Sequence, residues 1–202
     1  MHPAVYSVFQ DLLTETPARG PILEVGAVSG KDSLLHLPAL GKEGPRIGLN
    51  LQGGESDPYT ILEGNANQMD QFRDGEFQTV LCNSTLEHDC HFWKTIIEIQ
   101  RVTAPGGMIV IGVPGYSGMG LQEFIPPGDR FLMGRIIRWL TSRQTRDSLD
   151  ASTPTLGVHN YPGDYYRFSE QAVREVFMAN MLSVTIRQVM IPPRFIARGF
   201  KP

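Results

Sequence analysis

The stretch Ile22-Leu23-Glu24-Val25-Gly26-Ala27-Val28-Ser29-Gly30 decides the fold of this chain. A short apolar run that contains one acidic residue predicts a buried strand, and two glycines four positions apart predict a tight turn. Residues 31–40 then predict a helix. A strand, a tight turn and a helix in this order are typical of nucleotide-type binding loops in parallel α/β sheets. Many such turns, however, carry two glycines for backbone geometry alone, so the stretch by itself fits both interpretations.

Strands and helices alternate outward from this stretch, which predicts an α/β fold with a mainly parallel sheet. Two last strands could form a closing antiparallel pair, and Ser169 is placed to cap the helix before them. The predicted strands are 22–25, 46–49, 59–62, 77–82, 108–113, 184–189 and 195–197, and the predicted helices are 3–16, 31–40, 92–102 and 170–180.

Residues 115–165 interrupt the alternation inside what we expect to be a single domain spanning 1–202. Glycine, proline and polar residues flank one predicted helix at 130–143. Because the segment follows the carboxyl end of a central strand, it predicts a lid over that edge of the sheet.

The bulk composition excludes several classes of protein. The 202 residues carry a formal net charge of −3, which gives no basic footprint for a nucleic acid. Cys82 and Cys90 belong to no cluster of metal ligands, so we expect no metal site, no disulfide framework and a cytoplasmic location. The N-terminus lacks the features of a signal peptide, and the longest apolar run, 108–113, is too short to span a bilayer. The oligomeric state stays open.

Four spaced motifs together resemble the class I S-adenosylmethionine-dependent methyltransferases, and in particular the type 11 methyltransferase family. The first motif is Glu-Val-Gly-Ala-Val-Ser-Gly at 24–30. Leu-Cys-Asn-Ser-Thr-Leu-Glu-His at 81–88 resembles a later motif, as do Ile-Glu-Ile-Gln-Arg-Val at 97–102 and Pro-Gly-Gly at 105–107. Asp-Tyr-Tyr-Arg-Phe-Ser at 164–169 resembles an Asp-Tyr-Trp-Arg-Phe-Thr signature of one branch. The resemblance implies a Rossmann-like, seven-stranded sheet that binds S-adenosylmethionine across the ends of its first four strands.

The resemblance also implies a set of cofactor-binding residues at those strand ends. Gly26 and Gly30 would surround the methionine part, and Glu24 would anchor either that loop or the amino group. Asn50 would face the ribose, Asn65 the adenine amino group, and Asn83 with Ser84 the sulfonium. The full implied set is Glu24, Gly26, Ala27, Gly30, Asn50, Leu51, Asn65, Ala66, Asn83 and Ser84.

Simpler structural roles compete with several of these assignments. Asn50 could cap a strand end, and Asn65 could be a turn asparagine that bonds its own backbone. Two departures from the family pattern also matter. Val28 replaces a glycine, and Asn50 replaces an acid that would hold both ribose hydroxyls through stronger, charge-assisted bonds.

Three residues are candidates for a catalytic base, which is needed only if the accepting atom arrives protonated. They are His88, His159 and Tyr161. Tyr165, Tyr166 and Arg167 are candidates for substrate contact, because aromatic rings shape pockets and a guanidinium pairs with carboxylate or phosphate. The alternative is that Tyr165 and Phe168 belong to the core and that Arg167 pairs internally with Asp164.

Three functions follow as hypotheses. The first is methyl transfer from S-adenosylmethionine to a small-molecule oxygen, nitrogen or carbon acceptor by in-line displacement. The second is a non-enzymatic binding protein with degenerate cofactor motifs, which the departures at Val28 and Asn50 favour. The third, a nicotinamide-dependent oxidoreductase, is disfavoured because the chain lacks a Gly-x-Gly-x-x-Gly sequence in register after its first strand.

Overall fold

A computed structural model describes residues 1–41, 44–116, 142 and 163–202. The strands are β1 (Ile22–Val25), β2 (Arg46–Asn50), β3 (Gly54–Ser56), β4 (Tyr59–Glu63), β5 (Phe77–Asn83), β6 (Thr103–Pro114), β7 (Leu182–Val189) and β8 (Arg194–Phe200). The helices are α1 (Pro3–Glu15), α2 (Phe92–Val102) and α3 (Glu170–Ala172), which continues as a π-helical turn (Val173–Phe177). Single 3₁₀ turns cover Gly30–Asp32, Leu34–His36, Pro38–Leu40 and Leu86–His88.

The eight strands form one mixed sheet in the order β3-β4-β2-β1-β5-β6-β8-β7. β4, β2, β1, β5 and β6 run parallel to one another. β8 lies antiparallel between β6 and β7, so the predicted closing antiparallel pair is present. The strand order reverses between β1 and β5, and ligands of open α/β sheets bind in the crevice at such a point.

Apolar side chains cover both faces of the sheet, as its buried strands require. On one face, α1 packs with Leu34, Leu35 and other leucines of the 3₁₀ segment. On the other face, α2 packs with the π-helical turn after α3 and with Met69 and Phe72. All four residues of β1 are buried, in agreement with the prediction of a strand covered on both sides.

Three local features differ in detail from the predictions. The segment after Gly30 is a series of 3₁₀ turns and not a helix, because Glu24 bonds the backbone at its middle and Pro38 interrupts its end. The sheet has eight strands instead of seven, since the three-residue β3 pairs with β4 in an edge hairpin. β6 begins at Thr103, ahead of the predicted 108, and its pairing with β5 is irregular between Phe77 and Thr79.

No helix within the described residues is long and apolar enough to cross a bilayer. The predicted helix at 130–143 and nearly all of the predicted lid lie outside the residues that the structure describes.

Candidate functional site

The loops after β1, β2, β4 and β5 meet at one edge of the sheet through direct hydrogen bonds. The backbone N–H groups of Gly26 and Ala27 both donate to the carbonyl oxygen of Leu49, over 2.8 and 3.1 Å. The Gly64 N–H donates to the Asn50 carbonyl over 2.8 Å, and the Thr85 hydroxyl lies 3.4 Å from the Val25 carbonyl. The predicted strand-end residues are therefore brought together.

The two glycines of the first loop share a backbone conformation but not an environment. Gly26 has φ +79° and Gly30 has φ +78°, in the left-handed region that favours glycine. A Cβ on Gly26 would lie 1.9 Å from the Thr85 hydroxyl oxygen, whereas a Cβ on Gly30 would meet no atom of the described residues within 4 Å. Packing thus explains Gly26 without a ligand, and Gly30 borders open space into which a ligand can fit.

Glu24 holds the chain that follows this loop. Its carboxylate is 4% exposed and accepts from the Ser33 hydroxyl at 2.5 Å, the Leu34 N–H at 3.0 Å and the Leu35 N–H at 3.2 Å. Burial raises the pKa of Glu24, and these three hydrogen bonds partly lower it. The carboxylate therefore anchors the 3₁₀ segment after the loop, and its two predicted roles toward the loop and the amino group stay predictions.

Glu24→Gln is expected to lower the free energy of unfolding by about 1 kcal/mol, because an amide NH₂ then faces one of these N–H donors. The loss stays moderate since the Ser33 hydroxyl also accepts from the Leu35 N–H. Urea denaturation at pH 7 measures the change, with Glu55→Gln on the exposed hairpin as the control. Stability equal to the control would contradict the anchoring role.

Asn50 joins β2 to the glycine loop. Its side-chain NH₂ donates to the Ala27 carbonyl over 2.7 Å, and its side-chain oxygen lies 3.4 Å from the Gln52 N–H. A carboxylate could not donate to that carbonyl, which gives a physical reason for an asparagine in place of the family's acid. The weakly engaged oxygen is the part of the side chain that can still accept from a ribose hydroxyl.

Two apolar side chains are exposed beside this junction. Leu51 is 70% exposed and Val28 is 45% exposed, each one residue from the bonded pair Asn50 and Ala27. Exposed apolar side chains beside this glycine are suited to pack against the face of an aromatic ring such as adenine.

Asn65 forms the local turn that was its simpler interpretation. Its side-chain oxygen accepts from the Asn67 N–H over 2.9 Å, and its own carbonyl accepts from the Gln68 N–H. Asn65 is exposed and the adjacent Ala66 is half-buried, so both border solvent at the end of β4. The Asn67 amide donates to Asp89 over 2.6 Å, which ties this turn to the loop after β5.

Ser84 adopts φ +54°, which is uncommon for a residue with a side chain. Its hydroxyl accepts a hydrogen bond from the Arg194 guanidinium of β8. The side-chain oxygen of Asn83 is buried close to Gly112, with no hydrogen-bond partner within the described ranges. The end of β5 thus presents polar groups at the position implied for the sulfonium.

Glu87, two residues beyond Thr85, is a site residue that the sequence analysis missed. It is 3% exposed, one carboxylate oxygen has no hydrogen-bond partner among the described residues, and the other lies 3.6 Å from Arg194. Burial raises the pKa of Glu87 from 4.5 to about 7, although Arg194 and Arg167 lower it. The only signal in the sequence was an acid directly after the apolar Leu86, and Arg194 lies more than a hundred positions away.

The candidate substrate residues are largely engaged within the protein. Arg167 makes a bidentate ion pair with Asp164, with N–O distances of 2.5 and 2.6 Å. This is the internal pairing that was the alternative to substrate contact. The Tyr166 hydroxyl donates to the Cys90 carbonyl, and its ring packs on Phe92. Tyr165 is 58% exposed, so it is not a core residue.

The candidate bases are placed differently. His88 is half-buried in the 3₁₀ turn Leu86–His88, directly after Glu87. His159 and Tyr161 lie outside the residues that the structure describes.

The chemistry of this edge fits an S-adenosyl nucleoside. Gly30 leaves open space, Leu51 and Val28 offer apolar contact, and Asn65 and Asn50 offer polar groups at neighbouring strand ends. The backbone N–H groups of Gly26 and Ala27 already bond within the protein, so they are not ligands.

Comparisons with known proteins agree with this geometry. A family model described as a methyltransferase domain matches residues 46–111, from β2 into β6. The predicted resemblance to the type 11 methyltransferases is therefore confirmed, although the match begins after the glycine loop. A search of curated proteins finds no match.

Solved structures show the same fold at low sequence identity. The chain is similar to the 1,6-didemethyltoxoflavin-N1-methyltransferase of Burkholderia thailandensis, solved with 1,6-didemethyltoxoflavin and S-adenosylhomocysteine, at 14% identity and TM-score 0.62, covering 98% of this chain and 78% of that one. It is also similar to the N-methyltransferase NodS of Bradyrhizobium japonicum, which was solved with S-adenosylhomocysteine. The identity is 10% and the TM-score 0.58, and the match covers 98% of this chain and 86% of NodS. A possible exported protein of Bordetella parapertussis matches at 11% identity and TM-score 0.63, covering 98% and 67%. The fold is the Rossmann-like class I methyltransferase fold.

Proposed function

We propose that this chain is an S-adenosylmethionine-dependent methyltransferase that acts on a small-molecule acceptor. The observation that carries the proposal is the convergence of the loops after β1, β2, β4 and β5 at one edge of the sheet, next to the open space at Gly30. The match to the methyltransferase domain model supports it. Two free cysteines, Cys82 and Cys90, support our further proposal that the protein works in the cytoplasm.

The protein's part in such a reaction is mainly to bind and orient. S-adenosylmethionine supplies an activated methyl group on a sulfonium, so the chain needs no metal or nucleophilic triad of its own. Leu51 and Val28 would contact the adenine, Asn50 and Asn65 would face the nucleoside, and Ser84 would lie near the sulfur. Holding two reactants in line contributes about 7–11 kcal/mol to lowering a barrier.

Calorimetric titration with S-adenosylhomocysteine tests the cofactor assignment. We expect binding by the wild type and at least about tenfold weaker binding by Leu51→Asp, which sets a charge against the adenine. Ile97→Asp is the matched control, because Ile97 is an apolar residue of similar exposure, 62%, on α2 and is not among the predicted site residues. Absence of binding at millimolar ligand, or equal loss in the two variants, would overturn the proposal.

A non-enzymatic binding protein is the second candidate, and the state of Asn50 favours it. The amide nitrogen of Asn50 donates to the Ala27 carbonyl, and position 50 has no carboxylate that could bind both ribose hydroxyls. This candidate predicts binding of S-adenosylhomocysteine without methyl transfer. Incubation with S-adenosylmethionine and a fractionated metabolite extract, followed by mass spectrometry of the product S-adenosylhomocysteine, separates the two functions.

A further inference from the structure

The carboxyl group of Glu87 is a buried ionisable group at the edge of the sheet where the donor is proposed to bind. The side chain is 4% exposed, and one of its oxygens finds no hydrogen-bond partner in the part of the chain that the structure describes. Burial without full hydrogen bonding destabilises the ionised form of a carboxyl group. A charge placed nearby can therefore change the protonation state of Glu87.

Two guanidinium groups and one carboxylate act on Glu87. Arg194 of β8 faces it at 3.6 Å, and burial lowers the pKa of that guanidinium. Arg167 and Asp164, in the segment before α3, act on Glu87 with opposite signs and are paired with each other. The thiol of Cys82 in β5 is buried nearby with a raised pKa, and His88 adjoins Glu87 in the chain.

A single guanidinium links Glu87 to the predicted sulfonium position. Arg194 uses the same terminal nitrogen, Nη2, to donate to the Ser84 hydroxyl and to face the Glu87 carboxylate. Glu87 therefore lies next to the end of β5, close to where the donor's charge would sit. A positive charge placed there favours the ionised carboxylate, whereas a neutral thioether does not.

We propose that Glu87 discriminates the cationic donor from its neutral product: it releases a proton when S-adenosylmethionine binds and keeps that proton when S-adenosylhomocysteine binds. This inference rests on the proposed function, and it adds a specificity-determining residue to that site. Its consequence is that a rise in pH through neutrality strengthens the binding of the donor relative to the product.

Calorimetry in buffers of different ionisation enthalpy tests the proposal without an acceptor. At pH 7 we expect S-adenosylmethionine to release about half a proton more than S-adenosylhomocysteine, because close to half of Glu87 is protonated there. The Glu87→Gln variant should bind both ligands without this difference. Glu63→Gln is the matched control, since Glu63 ends β4 at the same edge with an exposed side chain, and it should behave as the wild type.

Arg194→Gln provides a second variant that does not depend on Glu87→Gln folding well. Loss of the guanidinium should move the maximum of the proton-release difference to a higher pH than in the wild type. Equal proton release for both ligands, or a difference that persists in Glu87→Gln, would overturn this inference alone. Failure of both ligands to bind the wild type would instead overturn the proposed function.

Discussion

Gly26→Ala is expected to lower the free energy of unfolding by about 3 kcal/mol or more, through left-handed backbone strain and overpacking combined. The backbone at Gly26 has φ +79°, and the new Cβ would overlap the Thr85 hydroxyl at 1.9 Å. The clash cannot be relieved by a small shift of either residue, because the Gly26 backbone is hydrogen-bonded to β2 and Thr85 begins the turn that carries Glu87. Urea denaturation followed by circular dichroism measures the loss.

Gly30→Ala is the matched control within the same loop. Its φ of +78° imposes the same strain, but its Cβ would enter open space, so we expect a loss of only about 1 kcal/mol. Adding Thr85→Ala to Gly26→Ala should recover part of the stability, because the closest contact disappears and the Thr85 Cβ remains at 2.9 Å. Equal losses at Gly26 and Gly30 would contradict the packing explanation.

Hydrophobic periodicity and turn residues correctly predicted the elements whose bounds are set by the local sequence. The bounds of β1 and α2 agree with the predictions at both ends, since each has a strong apolar pattern and clear stop signals. The edge strand β3 was missed because three residues that start with a glycine carry no strand pattern.

Long-range polar contacts explain the other failures. Residues 31–40 have an apolar pattern compatible with a helix, yet the buried Glu24 carboxylate takes the N–H groups of Leu34 and Leu35 and fixes a tighter turn. Arg194 and Glu87 meet only because β8 returns beside β6, which no local pattern reveals. The candidate site was therefore predictable as a set of strand ends and not as a set of paired side chains.

Glu87 is expected to make the stability of the fold depend on pH near neutrality. Burial raises its pKa from 4.5 to about 7 in the folded chain, so between these values the folded state binds more protons than the unfolded state. The stabilisation by this proton is complete below pH 4.5 and is lost as the pH rises through 7. Its size is about 3 kcal/mol, at about 1.4 kcal/mol per pKa unit.

Glu87→Gln isolates this contribution, because the amide has the shape of the protonated acid and does not titrate. Relative to the wild type, the variant should gain about 3 kcal/mol in unfolding free energy between pH 4.5 and pH 8, measured by urea denaturation at each pH. Glu63→Gln removes an exposed carboxylate from the same edge, so its free energy of unfolding should change with pH in parallel with that of the wild type. If the Glu87→Gln curve were also parallel, the carboxyl group would be ionised throughout this range, and its burial beside Arg194 would stabilise the charge instead of opposing it.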